Sequence, residues 1–134
     1  METRQRVLVD PHFRRMGEIF SPEDRARLDA VAEVVWGGDT PMPLEQARAA
    51  LPGVCAVVCS EWRYGDALGE ARALRAIISV SGGFPQTLDY DHCFQHGIRV
   101  LSAAPAFGPQ VAEMALGMVL AASRGIVAGD MAMR

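Results

Sequence analysis

The sequence lacks any concentration of basic charge. Its 13 Lys and Arg residues are outnumbered by 16 Asp and Glu residues, and they are spread thinly over 134 positions. A protein that follows a phosphate backbone or an anionic bilayer needs a stripe or patch of basic residues. We therefore expect neither nucleic acid nor a membrane surface as a partner.

Long apolar runs are also missing. The N-terminus is charged and leads into a short run, residues 7–9, instead of a signal-peptide core. The longest apolar run, residues 114–122, is about half of the ~20 residues that a membrane-spanning helix needs. These features predict a cytoplasmic protein without a transmembrane segment.

Cysteines are few and odd in number: Cys55, Cys59 and Cys93. The first two lie in an apolar stretch typical of a strand, where they would point the same way but sit roughly 13 Å apart, too far for a disulfide. Further metal ligands at a useful spacing are missing. We therefore expect free, buried thiols and no metal site.

The sequence does have an alternation of short apolar runs with helical patterns. The runs cover residues 7–9, 34–36, 54–59, 76–80 and 98–101. Such a rhythm indicates β-α-β units and a parallel sheet. The run at 54–59 is continuous and rich in β-formers, as in a central strand that is covered on both faces. We predict an α/β fold with about five parallel strands and helices on both faces.

Four segments have helical patterns. Ser21 precedes a proline and two acids, which together cap a helix start and predict a helix to about residue 32. Shorter helices are predicted at 43–51 and roughly at 66–74. The last helix, at 110–123, is apolar nearly all round, so it needs cover from a larger domain or from another chain.

A Gly-Gly pair directly follows the fourth predicted strand. Gly82 and Gly83, followed by Phe84, stand at the carboxyl end of that strand. Two interpretations are open. The glycines can simply form a tight turn with positive φ. Alternatively, their amides can bind an anion at the edge where open α/β sheets bind ligands.

The segments that follow the loop carry a more specific pattern. In order, they are Leu88-Asp89, Gly97-Ile98-Arg99-Val100 and Val111-Ala112-Glu113. Over roughly residues 74–124 the chain resembles the D-isomer-specific 2-hydroxyacid dehydrogenases. Their pattern is a glycine loop, Ile-Asp, Gly-Ile-x-Val, an Asn-x-Pro-Gly-like turn and Val-Ala-Glu at the start of a helix.

The resemblance implies a flavodoxin-like substrate domain over residues 1–104. Residues 105–134 would form a helical segment that leads towards a dinucleotide-binding domain, and a homodimer through the helix at 110–123 is expected. The family's catalytic Arg, Glu and His and the fingerprint Gly-x-Gly-x-x-Gly are not found in this sequence. We therefore expect NAD or NADP to bind the full-length parent, and this chain alone to bind neither and to show no turnover.

The resemblance also implies site residues. In the family, amides of the glycine loop hold the substrate carboxylate, and a position after the third strand often lines the same cleft. The matching positions here are Ser60, Gly82, Gly83 and Phe84. The position often held by a Thr near the cofactor is Gly108 or Pro109.

The loop departs from the family's Gly-Val-Gly-x-Asp pattern. Phe84 replaces the second glycine of that pattern, and Gln86 replaces the acid. The turn at residues 102–105, Ser-Ala-Ala-Pro, also differs from Asn-x-Pro-Gly. The size and shape of the substrate are therefore left open.

Two further groups have alternative interpretations. His92 and His96 are four residues apart on a predicted short helix, where a capping or solvated role is favoured over a metal pair. Trp62 and Arg63 follow the third strand and either border the cleft or form a cation–indole contact.

The leading hypothesis is a parent NAD(P)-dependent oxidoreductase that interconverts a 2-hydroxy acid and a 2-oxo acid, in which this chain grips the carboxylate. The alternative is a self-contained, non-catalytic α/β binding or oligomerisation module derived from the same family, since fold alone does not fix function.

Overall fold

The computed structural model describes residues 4–134. Its sheet contains the strands β1 (Gln5–Asp10), β2 (Ala32–Val34), β3 (Ala56–Cys59), β4 (Ala76–Ser79) and β5 (Arg99–Ser102). All neighbours pair in parallel, in the order β2-β1-β3-β4-β5. This is the strand order of flavodoxin-like, doubly wound sheets. The predicted α/β class and the parallel sheet of five strands are confirmed.

The α-helices are α1 (Met16–Ile19), α2 (Pro22–Val31), α3 (Leu44–Ala50), α4 (Tyr90–Gln95), α5 (Ala104–Ser123) and α6 (Ile126–Met133), with 3₁₀ helices at Leu51–Gly53 and Gly65–Glu70. The predicted start of α2 is confirmed. The Ser21 hydroxyl accepts a hydrogen bond from the Asp24 amide at 3.1 Å, and Pro22 opens the first turn. This cap satisfies one of the amides that a helix start leaves without an intrahelical partner.

The sheet is covered on both faces, as predicted. On one face, Leu8, Val57 and Ile77 are fully buried together with side chains from α3, α4 and the two 3₁₀ helices. On the other face, Val9 and Val58 pack with side chains from α1 and α2. Successive residues of a strand point to opposite faces, so a central strand needs apolar residues throughout. That requirement explains the continuous apolar run that ends at Cys59.

Two elements differ from their predictions. The second strand was predicted at 34–36 but pairs over residues 32–34, with Ala32 opposite Gln5, because α2 ends at Val31 and leaves no connecting loop. The segment predicted as a helix at 66–74 is a 3₁₀ helix over Gly65–Glu70 followed by turns. Gly69 lies inside it, and glycine disfavours an α-helix interior by about 1 kcal/mol.

The three cysteines are free thiols. Cys59 and Cys93 are buried, whereas Cys55 is half-buried and precedes β3. Cys55 packs with the cluster around Val9, and Cys59 packs in the cluster around Leu8. The prediction that Cys55 and Cys59 point the same way is therefore wrong, because the strand's alternation does not extend back to Cys55.

Residues 104–134 form a second compact unit made of α5 and α6. α5 begins at Ala104 instead of at the predicted residue 110, with Pro105 tolerated in its first turn. Its apolar side chains are exposed, including Leu116 at 61% and Leu120 at 54%. In residues 4–134 no single helix is long and apolar enough to cross a bilayer, although α5 and α6, bent by 57°, pass that test of length and composition as a pair.

Candidate functional site

One row of residues crosses the carboxyl edge of the sheet. Asp10 pairs with Cys59, Cys59 with Ser79, and Ser79 with Ser102. Because the strands are parallel, the loops that follow β1, β3, β4 and β5 all start at this edge. Open α/β sheets bind ligands at this edge, so the site is built from these loops.

Asp10 ends β1 with a fully buried carboxylate. Its Oδ2 accepts hydrogen bonds from Arg63 Nη2 at 2.7 Å and from the Tyr64 hydroxyl at 2.8 Å. Its Oδ1 accepts one from the amide of Met42 at 3.2 Å. A buried charge is stable only when it is paired and hydrogen-bonded in this way. Asp10 therefore fixes the segment after β3 and the segment before α3 at the edge of the sheet.

Arg63 and Trp62 do not contact each other as a cation and an indole; each has another partner. The Arg63 guanidinium lies over the ring of Tyr64, 5.8 Å from its centroid, and pairs with Asp10. Trp62 is buried, and its Nε1 donates to the carbonyl of Gly65 at 3.0 Å. The sequence analysis did not identify Asp10 as a structural residue. The available signal was its position, since a charged residue directly follows the apolar run at residues 7–9.

Two serines brace the loop after β4. The hydroxyl oxygens of Ser79 and Ser81 lie 2.8 Å apart, and Ser79 Oγ accepts a hydrogen bond from the Ser81 amide at 3.3 Å. The Ser81 hydroxyl donates to the carbonyl of Gly83 at 3.3 Å. The amide of Ala103 donates to the carbonyls of Ser79 and Ser81. The start of the loop is thus ordered by bonds that leave the glycine amides unused.

The amides of Gly82, Gly83 and Phe84 donate to no residue within 4–134. Neither glycine has a positive φ, a conformation found instead at Gly37, Gly65, Gly97 and Gly125. A Cβ added to either one would meet no atom within 4 Å. The interpretation as a turn with positive φ is therefore wrong. The loop therefore carries three consecutive amides without a partner in the described residues, and Gly82, Gly83 and Phe84 are all exposed, Phe84 by 57%.

The far end of the loop is tied to the segment after β3 and to α4. Glu61 Oε2 accepts from the amide of Gln86 at 3.3 Å, and the Thr87 hydroxyl donates to the carbonyl of Trp62 at 2.6 Å. The Tyr90 hydroxyl donates to the carbonyl of Pro85 at 2.6 Å. The segment held by Asp10 therefore also holds the glycine loop.

Ser60 lies next to this loop, but its side chain is buried. Its hydroxyl donates to the carbonyl of His12, and its own carbonyl accepts from Ser79 Oγ at 3.5 Å. A contact of the Ser60 hydroxyl with a ligand would require it to leave His12. Its role in substrate binding stays a prediction.

Gly108 and Pro109 lie inside α5, in the second unit, because this helix begins ahead of the predicted residue 110. Pro109 lacks the N–H that would donate to the carbonyl of Pro105, so the helix loses one bond there. Both residues are exposed. Their part in cofactor binding also stays a prediction.

His92 and His96 stack with their ring centroids 4.0 Å apart. His96 ends α4, and its Nδ1 lies 2.9 Å from the carbonyl of His92. Asp89 caps the start of the helix by accepting from the amide of His92. Over the described part of the chain, no three His, Cys, Asp or Glu side chains are grouped to hold a metal ion.

A scan of protein-family models finds no match, and a search of curated proteins finds none either. Among solved structures, the chain is similar to a phosphoglycerate oxidoreductase from Rhizobium etli. The two share 30% identity at a TM-score of 0.74, over 97% of this chain and 40% of that chain. The chain fits a D-2-hydroxyacid dehydrogenase domain.

Two other solved structures share the fold of this chain. A 2-hydroxyacid dehydrogenase from Ketogulonicigenium vulgare matches at TM-score 0.59 and 20% identity, over 97% of this chain and 39% of that chain. A phosphoglycerate oxidoreductase from Vibrio cholerae matches at TM-score 0.51 and 18% identity, over 90% and 38%. The chain thus spans about 40% of the length of the solved structures it matches.

Within residues 4–134 no glycines have the Gly-x-Gly-x-x-Gly spacing of a dinucleotide-binding turn, and the loop at Gly82-Gly83 carries only the pair. A dinucleotide binds at a glycine-rich turn that joins a strand to a helix. Gly125 caps the start of α6, and Gly129 lies within this helix. The element before α6 is the helix α5 and not a strand. The spacing of these two glycines also differs from Gly-x-Gly-x-x-Gly.

Burial controls the ionisation of two groups beside Asp10. It raises the pKa of the Cys59 thiol to about 12, with the charges of Asp10 and Glu61 acting in the same direction and Arg63 opposing them. Burial also raises the pKa of Tyr64, and the charge of Asp10 and its hydrogen bond to the Tyr64 hydroxyl raise that pKa further. Both groups therefore stay neutral in the folded domain, and Tyr64 remains a donor to Asp10.

The raised pKa of Cys59 predicts a loss of stability in alkali. Unfolding returns the thiol to its ordinary pKa of 9.0, so its stabilising contribution is complete below that pH and declines between pH 9.0 and about 12. Over that range the contribution of Cys59 to the free energy of unfolding falls by roughly 1.4 kcal/mol per pH unit. Urea unfolding of the unsubstituted chain and of Cys59→Ala, compared between about pH 9 and about pH 10, should give the shallower decline for Cys59→Ala.

The matched control is Cys55→Ala, which keeps the Cys59 thiol and should keep the slope. Cys59→Ala also loses buried volume and should start from a lower stability, so the comparison uses slopes and not absolute values. Equal slopes for the unsubstituted chain and Cys59→Ala would contradict this account.

Proposed function

We propose that this chain is the substrate-binding part of an NAD(P)-dependent oxidoreductase that interconverts 2-hydroxy acids and 2-oxo acids. The observation that carries the proposal is the set of three consecutive free amides at Gly82, Gly83 and Phe84, placed at the carboxyl edge of β4. The similarity to the Rhizobium etli oxidoreductase supports it.

In this proposal the amides donate to the carboxylate of the acid. Hydrogen bonds to a charged acceptor contribute about 1.5–3 kcal/mol each. The contacts of Ser79 and Ser81 already order the start of the loop in the absence of a ligand. Binding therefore costs less conformational entropy of the backbone. Arg63 is paired with the buried charge of Asp10, so the recognition rests on the amides and not on a free cation.

Hydride transfer belongs to NAD or NADP bound elsewhere in the parent, and Gly108 and Pro109 are proposed to contribute only on the nicotinamide side. The chain alone should then show no redox turnover. We also propose a cytoplasmic location for the parent.

Substitution of Gly83 tests the proposed carboxylate contact. In the full-length parent, Gly83→Val should raise KM for the acid roughly tenfold or more while cofactor affinity changes little, because a branched side chain restricts the backbone that presents the amides. The fold should tolerate the change, since a Cβ at Gly83 meets no atom within 4 Å. Steady-state kinetics and thermal melting give the two readouts.

Gly69→Val is the matched control, because a Cβ there also meets no atom within 4 Å and the residue lies in the 3₁₀ helix Gly65–Glu70. It should leave KM unchanged. If Gly83→Val also leaves KM unchanged, the loop does not hold the substrate.

We further propose a homodimer through the helix at 110–123. Val111, Met114, Leu116, Met118 and Val119 are each more than 60% exposed. Fully burying a side chain of this kind contributes about 1.5–3 kcal/mol, so a second copy that covers this surface would be strongly favoured.

Replacing Leu116 and Leu120 with Glu tests this interface. Light scattering should show a dimer or larger species for the unsubstituted chain and a smaller species for the double variant. Val31→Glu with Leu44→Glu is the control, since these exposed side chains belong to α2 and α3 and should leave the assembly unchanged. A dilution-independent monomer of the unsubstituted chain would contradict the proposal.

A further inference from the structure

An apolar cavity opens beside the glycine loop, between α4 and the edge strand β5. Its volume is about 570 Å³, within the range of roughly 300–1,000 Å³ that small-molecule sites occupy. The walls include Phe84, Tyr90, Phe94, Ile98, Leu101 and a single charged residue, Arg99. Phe94 and Leu101 are 80% and 50% exposed, so the walls are accessible from solvent.

Phe84 belongs both to the loop and to the cavity. Its amide is the third of the free amides, and its ring forms part of the cavity wall. The loop's position against the cavity is fixed because the hydroxyl of Tyr90, another wall residue, donates to the carbonyl of Pro85. Consecutive Cα atoms are about 3.8 Å apart. The amide of Gly83 and the ring of Phe84 therefore lie within the length of one small molecule, and the proposal requires that a single ligand contact both.

We propose that this cavity receives the side chain of the substrate, and that the substrate is a 2-oxo or 2-hydroxy acid with a bulky apolar side chain, aryl or branched alkyl. The proposal rests on the function proposed above, since the same molecule places its carboxylate on the amides of Gly82 and Gly83. Phe84, where the family pattern has glycine, supplies an aromatic wall between the carboxylate contacts at Gly82 and Gly83 and the apolar cavity.

The chemistry of the walls favours this class over two others. A two- or three-carbon acid bound at the loop would leave the cavity filled with water. A second acidic group, such as a phosphate, would have to give up water against mostly apolar walls, with Arg99 as its one charged partner. An apolar side chain gains from burial without that cost.

Nuclear magnetic resonance titration of the 134-residue chain tests the inference. The probes are pyruvate, phenylpyruvate and 3-phosphohydroxypyruvate at millimolar concentrations. Pyruvate should shift the amide signals of Gly82 and Gly83. Phenylpyruvate should shift these and the methyl signals of Ile98 and Leu101. It should also bind roughly tenfold or more tightly than pyruvate, as expected for burying one apolar group. The phosphorylated acid should show no such gain.

Leu101→Asp and Phe94→Ala should each remove most of the preference for phenylpyruvate while leaving pyruvate binding intact. Two variants are used because an aspartate on a short edge strand could disturb the fold, whereas Phe94 lies on α4 and is largely exposed. Val31→Asp, at a residue of α2 that is 70% exposed, is the control and should change neither affinity.

The outcomes separate the two proposals. If pyruvate shifts the loop amides but phenylpyruvate binds no more tightly, the inference about the cavity is wrong and the proposed carboxylate site stands. If no acid shifts the amides, both are wrong. If phenylpyruvate shifts the cavity methyls but not the loop amides, the cavity is a separate site and the inference is wrong. Equal or tighter binding of the phosphorylated acid would also overturn it.

Discussion

The buried carboxylate of Asp10 is the constraint on which the carboxyl edge of the sheet depends. A charge with no solvent contact requires donors, and they come from Arg63, Tyr64 and the backbone of Met42. These donors fix the segment after β3, which in turn holds the glycine loop through Glu61 and the carbonyl of Trp62. The buried charge thereby helps to set where the free amides lie, together with the contacts of Ser79, Ser81 and Tyr90 with the loop.

Periodicity and capping chemistry were sufficient to predict the α/β class, the parallel sheet and the start of α2 at Ser21, because the sequence patterns that indicate each of them span only a few positions. The Asp10 contacts were not predictable in this way, since their donors lie 32, 53 and 54 positions away in sequence. The pair Gly82-Gly83 was recognised as a candidate site. Its negative φ values and the open space around it could be known only from the folded structure.

Exposed apolar surface occurs in both units of the chain. In the first, Phe84, Phe94 and Leu101 surround the cavity at the edge strand; in the second, residues such as Leu116 lie along α5. Apolar patches of more than a few hundred square ångströms are uncommon on soluble monomers and mark binding surfaces. The two surfaces fit different proposed occupants, a substrate side chain and a second copy of the chain.

The central claim is that the amides of Gly82 and Gly83 hold the carboxylate of a 2-oxo acid. A crystal structure of the chain with oxamate, an unreactive mimic of pyruvate, tests it most directly. The account predicts one ordered oxamate whose carboxylate oxygens lie about 2.7–3.2 Å from these two amide nitrogens. Oxamate bound only elsewhere, for example at Arg99, with the loop amides facing solvent at saturating concentration, would contradict it.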